Sequence, residues 1–255
     1  MMQTTLLTLL HSSVSGMLAR QIDLDTIANN LANVNTSGYK PARVDFKELL
    51  EPNMKDTELA GPYRGTGLGV TRISVSPGAL TMGDSPLNMA IEGDGFFAVN
   101  LSQGGVAYTR DGRFTKDANN NLVTASGRRV VWQGTLPADA QNLHVNPDGS
   151  VMAQVNNIWT QVGRLQTYRF VNPSGLLNVG DSSFQVSNDS GAAQAGTPGA
   201  TGYGRIMSGV IESSATNLSD EISNMIVAQR AYYMSVKAFQ QTDDMIGLAI
   251  RLRVR

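Results

Sequence analysis

The sequence predicts an α+β protein in which N- and C-terminal coiled-coil helices form a discontinuous domain around a mostly antiparallel all-β domain. Two long stretches with apolar residues at heptad spacing predict the helices. Many short apolar runs separated by turn residues predict the β domain between them. The terminal helical domain is therefore expected at residues 1–38 and 212–255, an extended linker with β character at 39–83, and the β-rich domain at 84–211.

The first helix is predicted to run roughly from Thr4 to Asn33. Its apolar residues recur every seven positions, which places them on one face of a helix. Asn33 begins an Asn- and Gly-containing segment that tolerates left-handed backbone, and Gly38 is a plausible stop signal. The heptad positions are Leu10, Met17, Leu24 and Leu31.

The linker changes character because it contains many Gly and Pro residues. Residues 65–69 read GTGLG, which has neither the GxxxxGK[ST] spacing nor the GxGxxG register of a phosphate-binding loop. The linker is therefore expected to be loop and strand. In the β domain, residues 96–99 form a predicted strand, and Asp111-Gly112 predicts a tight hairpin between strands at 106–109 and 113–115.

The last forty residues carry the longest periodic pattern, with steps that alternate between four and three. Asp220 and Glu221 favour a helix start, where carboxylates interact well with the helix dipole, and Thr216 or Asn217 can provide the cap. The seam positions are Leu218, Ile222, Met225, Gln229, Tyr232, Val236, Phe239, Asp243, Ile246 and Ile250.

Two seamed helices without a third layer are weakly supported, because ordering the backbone of both costs more than their seams return. We therefore expect the terminal helices to pack against other copies of the chain. The expected assembly interface comprises Leu10, Met17, Leu24, Leu31, Leu218, Ile222, Met225, Tyr232, Val236, Phe239 and Ile246.

Composition excludes several classes of function. The net charge of −1 gives no electrostatic case for a nucleic-acid partner, and the absence of cysteine excludes thiol catalysis and thiolate metal sites. The acidic residues and the two histidines form no pattern for catalysis or metal binding. We predict no enzyme, no cofactor and no small-molecule substrate. Residues 117–121 imitate a calcium loop, but Leu122 and Arg128 replace its required Gly and Glu, which favours a polar hairpin tip.

The N-terminus does not predict a cleaved secretory signal. Its apolar cluster, Leu6–Leu10, is short, and the first basic residue, Arg20, follows that cluster instead of preceding it. Export, if it occurs, is expected to use a route without signal cleavage.

Several motifs resemble the bacterial flagellar rod and hook family. Residues 27–40 read IANNLANVNTSGYK and resemble its N-terminal signature; residues 225–232 read MIVAQRAY and resemble its C-terminal signature. The middle contributes DGFF at 94–97 and YTRDG at 108–112. The motif residues are Asn29, Asn30, Leu31, Asn33, Asn35, Thr36, Gly38, Gln229, Arg230, Ala231 and Tyr232.

The resemblance implies a structural subunit of the flagellar basal-body rod, most similar to distal rod members. Such a subunit polymerises with itself into a hollow helical axial tube, transmits torque from motor to hook and conducts exported subunits. The implied partners are other rod and hook proteins, the surrounding basal-body ring proteins and the flagellar type III export apparatus. The implied location is the periplasm-spanning basal body in the cell envelope.

The sequence leaves two alternatives open. The short segment 46–69 leaves a proximal rod or short hook-type protein of the same family open. The seams and strands alone are also typical of a secreted β-rich binding protein with coiled-coil trimerisation ends.

Overall fold

A computed structural model describes the backbone of residues 2–50, 64–101, 104–140 and 142–253. Side-chain burial is described for residues 13–46, 72–101, 104–140, 142–248 and 251.

The chain forms two compact units, each assembled from separate stretches of sequence. The helical unit contains Met1–Ala32, Ala42–Arg72 and Asn217–Arg255; the β unit contains Asn33–Pro41 and Ile73–Thr216. The described residues thus show a helix towards each end of the chain and a strand-rich region between them, which confirms the α+β class.

The helical unit contains helix α1 (Met2–Ala32), helix α2 (Leu218–Arg253) and the paired strands β1 (Ala42–Leu50) and β2 (Arg64–Ile73). Asn217, one of the two predicted candidates, caps α2: its side-chain oxygen accepts a hydrogen bond from Ser219 N at 3.0 Å, and its carbonyl accepts one from Glu221 N at 3.0 Å. Over the described residues, neither helix is apolar enough along its length to cross a membrane.

Helices α1 and α2 run antiparallel. The side chain of Asn30 reaches Glu221, and a β-carbon placed on Gly16 would lie 3.9 Å from Ser235 Oγ. Fourteen residues backwards along α1 therefore correspond to fourteen residues forwards along α2. This relation fixes which turns of the two helices face one another.

The β unit is built from short strands, and every pairing described between β3 and β18 is antiparallel. Its two larger sheets have the orders β10-β11-β12-β9 and β14-β15-β6-β5. The strands are β3 (Leu80–Met82), β4 (Met89–Glu92), β5 (Phe97–Asn100), β6 (Val106–Thr109), β7 (Phe114–Lys116), β8 (Leu122–Thr124), β9 (Trp132–Gly134), β10 (Asn142–Val145), β11 (Ser150–Val155), β12 (Ile158–Leu165), β13 (Thr167–Arg169), β14 (Leu177–Asn178), β15 (Ser183–Gln185), β16 (Gln194–Gly196), β17 (Arg205–Ser208) and β18 (Val210–Glu212).

Strand β5 lies between two hydrophobic clusters of the β unit. Since successive side chains of a strand point to opposite faces, Phe97 and Val99 enter one cluster while Phe96 and Ala98 enter the other. Phe97 packs edge-to-face on Phe114 with ring centroids 5.1 Å apart. A strand buried on both faces explains why this run has no polar alternation.

The prediction of a hairpin at Asp111-Gly112 is wrong. Strand β6 pairs with β5 and β15, whereas β7 pairs with β8. Gly112 instead lies against Met89, whose N–H donates to the Gly112 carbonyl at 2.9 Å. A β-carbon on Gly112 would be 1.5 Å from the Met89 carbonyl oxygen, so close approach of two backbone segments requires glycine here.

Replacing Gly112 with Ala should destabilise the protein by about 2 kcal/mol or more, because the added methyl group overlaps a buried backbone carbonyl. Chemical unfolding of the purified protein measures the change. Gly247→Ala is the matched control, since a β-carbon at that helical position meets nothing within 4 Å and should leave stability unchanged or slightly higher. Equal stability of the two variants would contradict the packing described.

Candidate assembly surface

The buried side chains of α2 form a regular row. Glu221, Ala228 and Thr242 are buried, and the half-buried Ser235 fills the remaining heptad position. Between residues 13 and 32 of α1, where burial is described, the buried residues are Ala19, Ile27 and Asn30. Where contacts between the two helices are described, they involve small and polar residues: Asn30 with Glu221, and Gly16 opposite Ser235.

At every second position of the predicted seam, the member of the buried row is the residue immediately before the predicted residue. The half-buried Met225, Tyr232, Phe239 and Ile246 belong to the predicted seam and each lies three or four residues from a member of the buried row. The predicted row of Ile222, Gln229, Val236 and Asp243 is displaced by about 100° around the helix from the buried row, and all of it except the half-buried Val236 is exposed.

The remaining predicted interface positions are partly accessible. Met17, Leu24 and Leu31 on α1 are half-buried, and Leu218 on α2 is exposed. The side chains of Leu10 and Ile250 lie outside the described residues. That these positions contact other copies of the chain stays a prediction.

Helix α2 carries large apolar side chains on its exposed surface, which we call the apolar face of α2. Exposed fractions in this set reach 67% at Val227. A soluble molecule seldom displays this much apolar surface along one helix unless a partner covers it. The apolar face of α2 comprises Leu218, Ile222, Ile226, Val227, Tyr233, Met234, Met245 and Leu248.

Asn30 joins α1, α2 and the start of β1. Its Oδ1 accepts a hydrogen bond from Ala42 N at 3.0 Å, while its Nδ2 donates to Ala42 O at 2.9 Å and to Glu221 Oε1 at 3.3 Å. The amide therefore pairs with both backbone groups of Ala42, as a neighbouring strand would. Only an amide side chain offers the donor and acceptor that this geometry needs.

A groove of about 320 Å³ opens beside this amide, within the helical unit. Burial raises the pKa of Glu221 above its ordinary value of 4.5, although the hydrogen bond from Asn30 and the charge of Arg43 oppose that shift. The carboxylate form of Glu221 is therefore poorly stabilised in the isolated molecule. The groove is lined by Arg20, Asp23, Thr26, Ile27, Asn30, Ala42, Arg43, Val44, Glu221, Asn224, Val227 and Ala228.

The raised pKa of Glu221 predicts how stability depends on pH. The folded state binds this proton more tightly than the unfolded state, so the stabilisation is complete below about pH 4.5 and is lost as pH rises through the folded pKa. Unfolding free energies of wild type and Glu221→Gln, measured from pH 4 to pH 7, should show wild type losing stability relative to the variant. A difference that moves in the opposite direction would refute this assignment.

The β unit contains a buried ion cluster centred on Glu212. Lys40 Nζ donates to Glu212 Oε1 at 2.6 Å, Arg110 Nη1 donates to Oε2 at 3.2 Å, and Gly78 N donates to Oε1 at 2.8 Å. The side chains of Lys40, Arg110 and Glu212 are at most 3% exposed. Both carboxylate oxygens are thus engaged by a cation.

Backbone carbonyls complete the cluster. Lys40 also donates to Ser76 O at 2.7 Å, and Arg110 donates to Ile91 O at 3.0 Å and to Gly93 O at 2.7 Å. Burial lowers the pKa of Lys40 and the pKa of Arg110, and in both cases the charge of Glu212 opposes the shift. The cluster joins the segment after α1, the turn after β6 and the end of β18.

Sequence reasoning missed this cluster. Lys40 and Arg110 appeared only inside motifs, and Glu212 was not singled out. Glu212 is 172 residues from Lys40 and 102 from Arg110 along the chain, so no local spacing could signal their contact. Among the described residues, no group of His, Asp or Glu side chains is arranged to hold a metal ion.

Comparison with known protein families gives three matches along the chain. Residues 10–40 match the flagella basal body rod protein model, residues 90–153 the flagellar hook protein FlgE/F/G D1 domain, and residues 207–252 the flagellar basal body rod FlgEFG protein C-terminal model. Lys40, Arg110 and Glu212 each lie in a different one of these regions.

Individual relatives match this chain over nearly its whole length. The chain is 37% identical to the flagellar basal-body rod protein FlgG of Borreliella burgdorferi over 96% of this chain and 98% of the relative. It is 35% identical to FlgG of Bacillus subtilis, again over 96% and 98%. The chain belongs to the flagellar basal-body rod protein family.

Membership confirms the resemblance, including the similarity to the distal rod protein FlgG, and does not favour the alternatives. The flagellar hook protein FlgE of Helicobacter mustelae matches 52% of this chain and 32% of its own length, at 40% identity. The rod family consists of structural proteins and not of enzymes. The chain is accordingly a structural subunit of the flagellar basal-body rod.

The structure places the rod-family motif residues in different environments. Asn30 and Gly38 are buried, and Leu31, Asn33, Thr36, Ala231 and Tyr232 are half-buried. Gly38 has a φ of 66°, and a β-carbon there would lie 2.3 Å from Asp111 N, so both conformation and space require glycine. The exposed members are Asn29, Asn35, Gln229 and Arg230.

Replacing Glu212 with Gln should destabilise this rod protein by about 3 kcal/mol or more, because two buried cations lose the carboxylate that both of them contact. Chemical unfolding at neutral pH measures the loss. Glu92→Gln removes the carboxylate of an exposed pair with Arg205 and should change stability little. Equal effects of the two substitutions would show that the buried cluster contributes nothing particular.

Proposed function

We propose that the chain polymerises into a hollow helical axial tube through coiled-coil contacts of α1 and α2 with other copies. The observation that carries this proposal is the apolar face of α2, exposed along a helix of 36 residues. The neighbouring helix α1 also exposes Val14 and Leu18. In a polymer, neighbouring copies cover this surface on every subunit, whereas a single partner of fixed size covers it on one molecule only.

The free energy gained by burying the apolar face of α2 supports assembly. Burying the remaining exposed part of one large apolar side chain contributes about 1 kcal/mol, so the eight side chains of the face contribute on the order of 8 kcal/mol per copy. That gain is offset partly by the entropy lost on association. Contacts repeated on both sides of each subunit then make a continuous polymer favourable.

In this assembly, residues 1–38 and 212–255 form the inner layer of the tube, 84–211 form its outer part, and 39–83 connect them. The tube transmits torque from the motor to the hook and conducts exported subunits. The partners are other rod and hook proteins, the basal-body ring proteins and the flagellar export apparatus. The subunit reaches the periplasm-spanning basal body without signal cleavage. The rod and hook names of its relatives support this setting.

Replacing Ile226 with Asp should abolish polymerisation while leaving the subunit folded. Ile226 is 46% exposed, so the carboxylate stays hydrated in the monomer but would be buried unpaired at the contact. Sedimentation and electron microscopy of concentrated protein measure assembly, and thermal unfolding measures folding.

Gln161→Glu is the control, because it adds the same charge at an exposed polar position of the β unit, away from the apolar face, and should still assemble. Normal polymers from Ile226→Asp would refute the proposed role of the apolar face.

A further inference from the structure

The groove in the helical unit has a mixed lining that suits one kind of side chain. The buried carboxylate of Glu221 lies in it, Ile27, Val227 and Ala228 supply apolar surface, and Asn224 adds an exposed amide. A long side chain with an apolar stem and a cationic head matches both parts of this lining. Arginine has that form, and its planar head pairs well with carboxylates.

Glu221 is poorly satisfied within the molecule. The residue is 7% exposed, and its hydrogen bond from Asn30 Nδ2 is 3.3 Å long. The same Asn30 nitrogen makes its shorter bond, 2.9 Å, to Ala42 O. Of the basic residues that line the groove, Arg20 contacts Asp23 at 3.5 Å, and Arg43 is exposed, although its charge acts on Glu221. An additional cation at Glu221 would improve its environment.

The chain contains a basic segment of suitable chemistry at residues 251–255, which read RLRVR. Arg251 is helical and exposed. Since α2 is continuous from Leu218 to Arg253, Arg251 and Glu221 are separated by about 45 Å at ~1.5 Å per residue. The basic segment of one molecule therefore cannot reach the groove of the same molecule.

We propose that the groove receives the basic segment 251–255 of a second copy, with an arginine guanidinium against Glu221. This contact joins one end of α2 to the other end in the next copy. Such a head-to-tail contact uses two different surfaces, so every added copy presents a fresh groove and a fresh basic segment. The inference rests on the proposed polymerisation and specifies one contact by which it proceeds.

Crosslinking tests the contact directly, because the chain has no cysteine of its own. Asn224→Cys and Arg251→Cys are prepared as separate single variants, mixed in equal amounts, polymerised and treated with a short bis-maleimide. We expect crosslinked dimers that contain one copy of each variant. Gln240→Cys mixed with Arg251→Cys is the control; Gln240 is exposed, lies about 24 Å along α2 from Asn224 at ~1.5 Å per residue, and should give few dimers.

A charge variant provides an independent measurement. Glu221→Gln keeps an oxygen that can accept from Asn30 but removes the charge, so the protein concentration needed for polymerisation should rise about tenfold. Asp220→Asn removes the same charge at the adjacent exposed position and should change that concentration less than about twofold.

The outcomes separate this inference from the proposed function. Polymers that form without Asn224–Arg251 crosslinks, or that respond equally to Glu221→Gln and Asp220→Asn, would overturn the groove contact and leave polymerisation intact. Failure of the wild-type chain to polymerise at any concentration would overturn both.

Discussion

Among the described residues, α1 and α2 meet through small and polar residues, and this constraint determines what the rest of the two helices can do. Gly16 of one helix lies opposite Ser235 of the other, while Asn30 and Glu221 meet by a hydrogen bond. Small residues permit close backbone approach, and a buried amide–carboxylate contact favours one register over its neighbours. Because the intramolecular contact uses this row, the larger apolar residues of α2 remain at the surface.

A second constraint acts in the β unit, where Glu212 holds two buried cations from distant parts of the sequence. Lys40 lies eight positions after the end of α1, and Glu212 lies six positions before the start of α2. The segments that leave and enter the helices are thus tied to the same carboxylate. Because unpaired buried charges are costly, the β unit reaches its full stability only when both segments are in place.

Local signals in the sequence predicted much of this fold. The two helices, the cap at Asn217 and the strand at 96–99 depend on periodicity and on neighbouring residues, and they were predicted correctly. The prediction of a hairpin at Asp111-Gly112 was wrong because a turn dipeptide does not reveal which strands pair. There the backbone of Met89, from another strand, determines the need for glycine.

The assembly surface was predictable only in part. Apolar spacing identified α2 and a face at Met225, Tyr232, Phe239 and Ile246, yet it missed the row of Glu221, Ala228, Ser235 and Thr242 that closes the helix pair. Small and polar residues score poorly in any hydrophobic pattern, although they pack closely. The Glu212 cluster was missed for a different reason, since its members are joined by topology alone.

The central claim is that the terminal helices assemble copies of this rod protein into a tube. A helical reconstruction of the wild-type polymer by electron cryomicroscopy tests that claim most directly. The account predicts α1 and α2 in the inner layer around the bore, with the apolar face of α2 covered by neighbouring copies. A map that places these helices on the outer surface, with the apolar face of α2 uncovered, would contradict it.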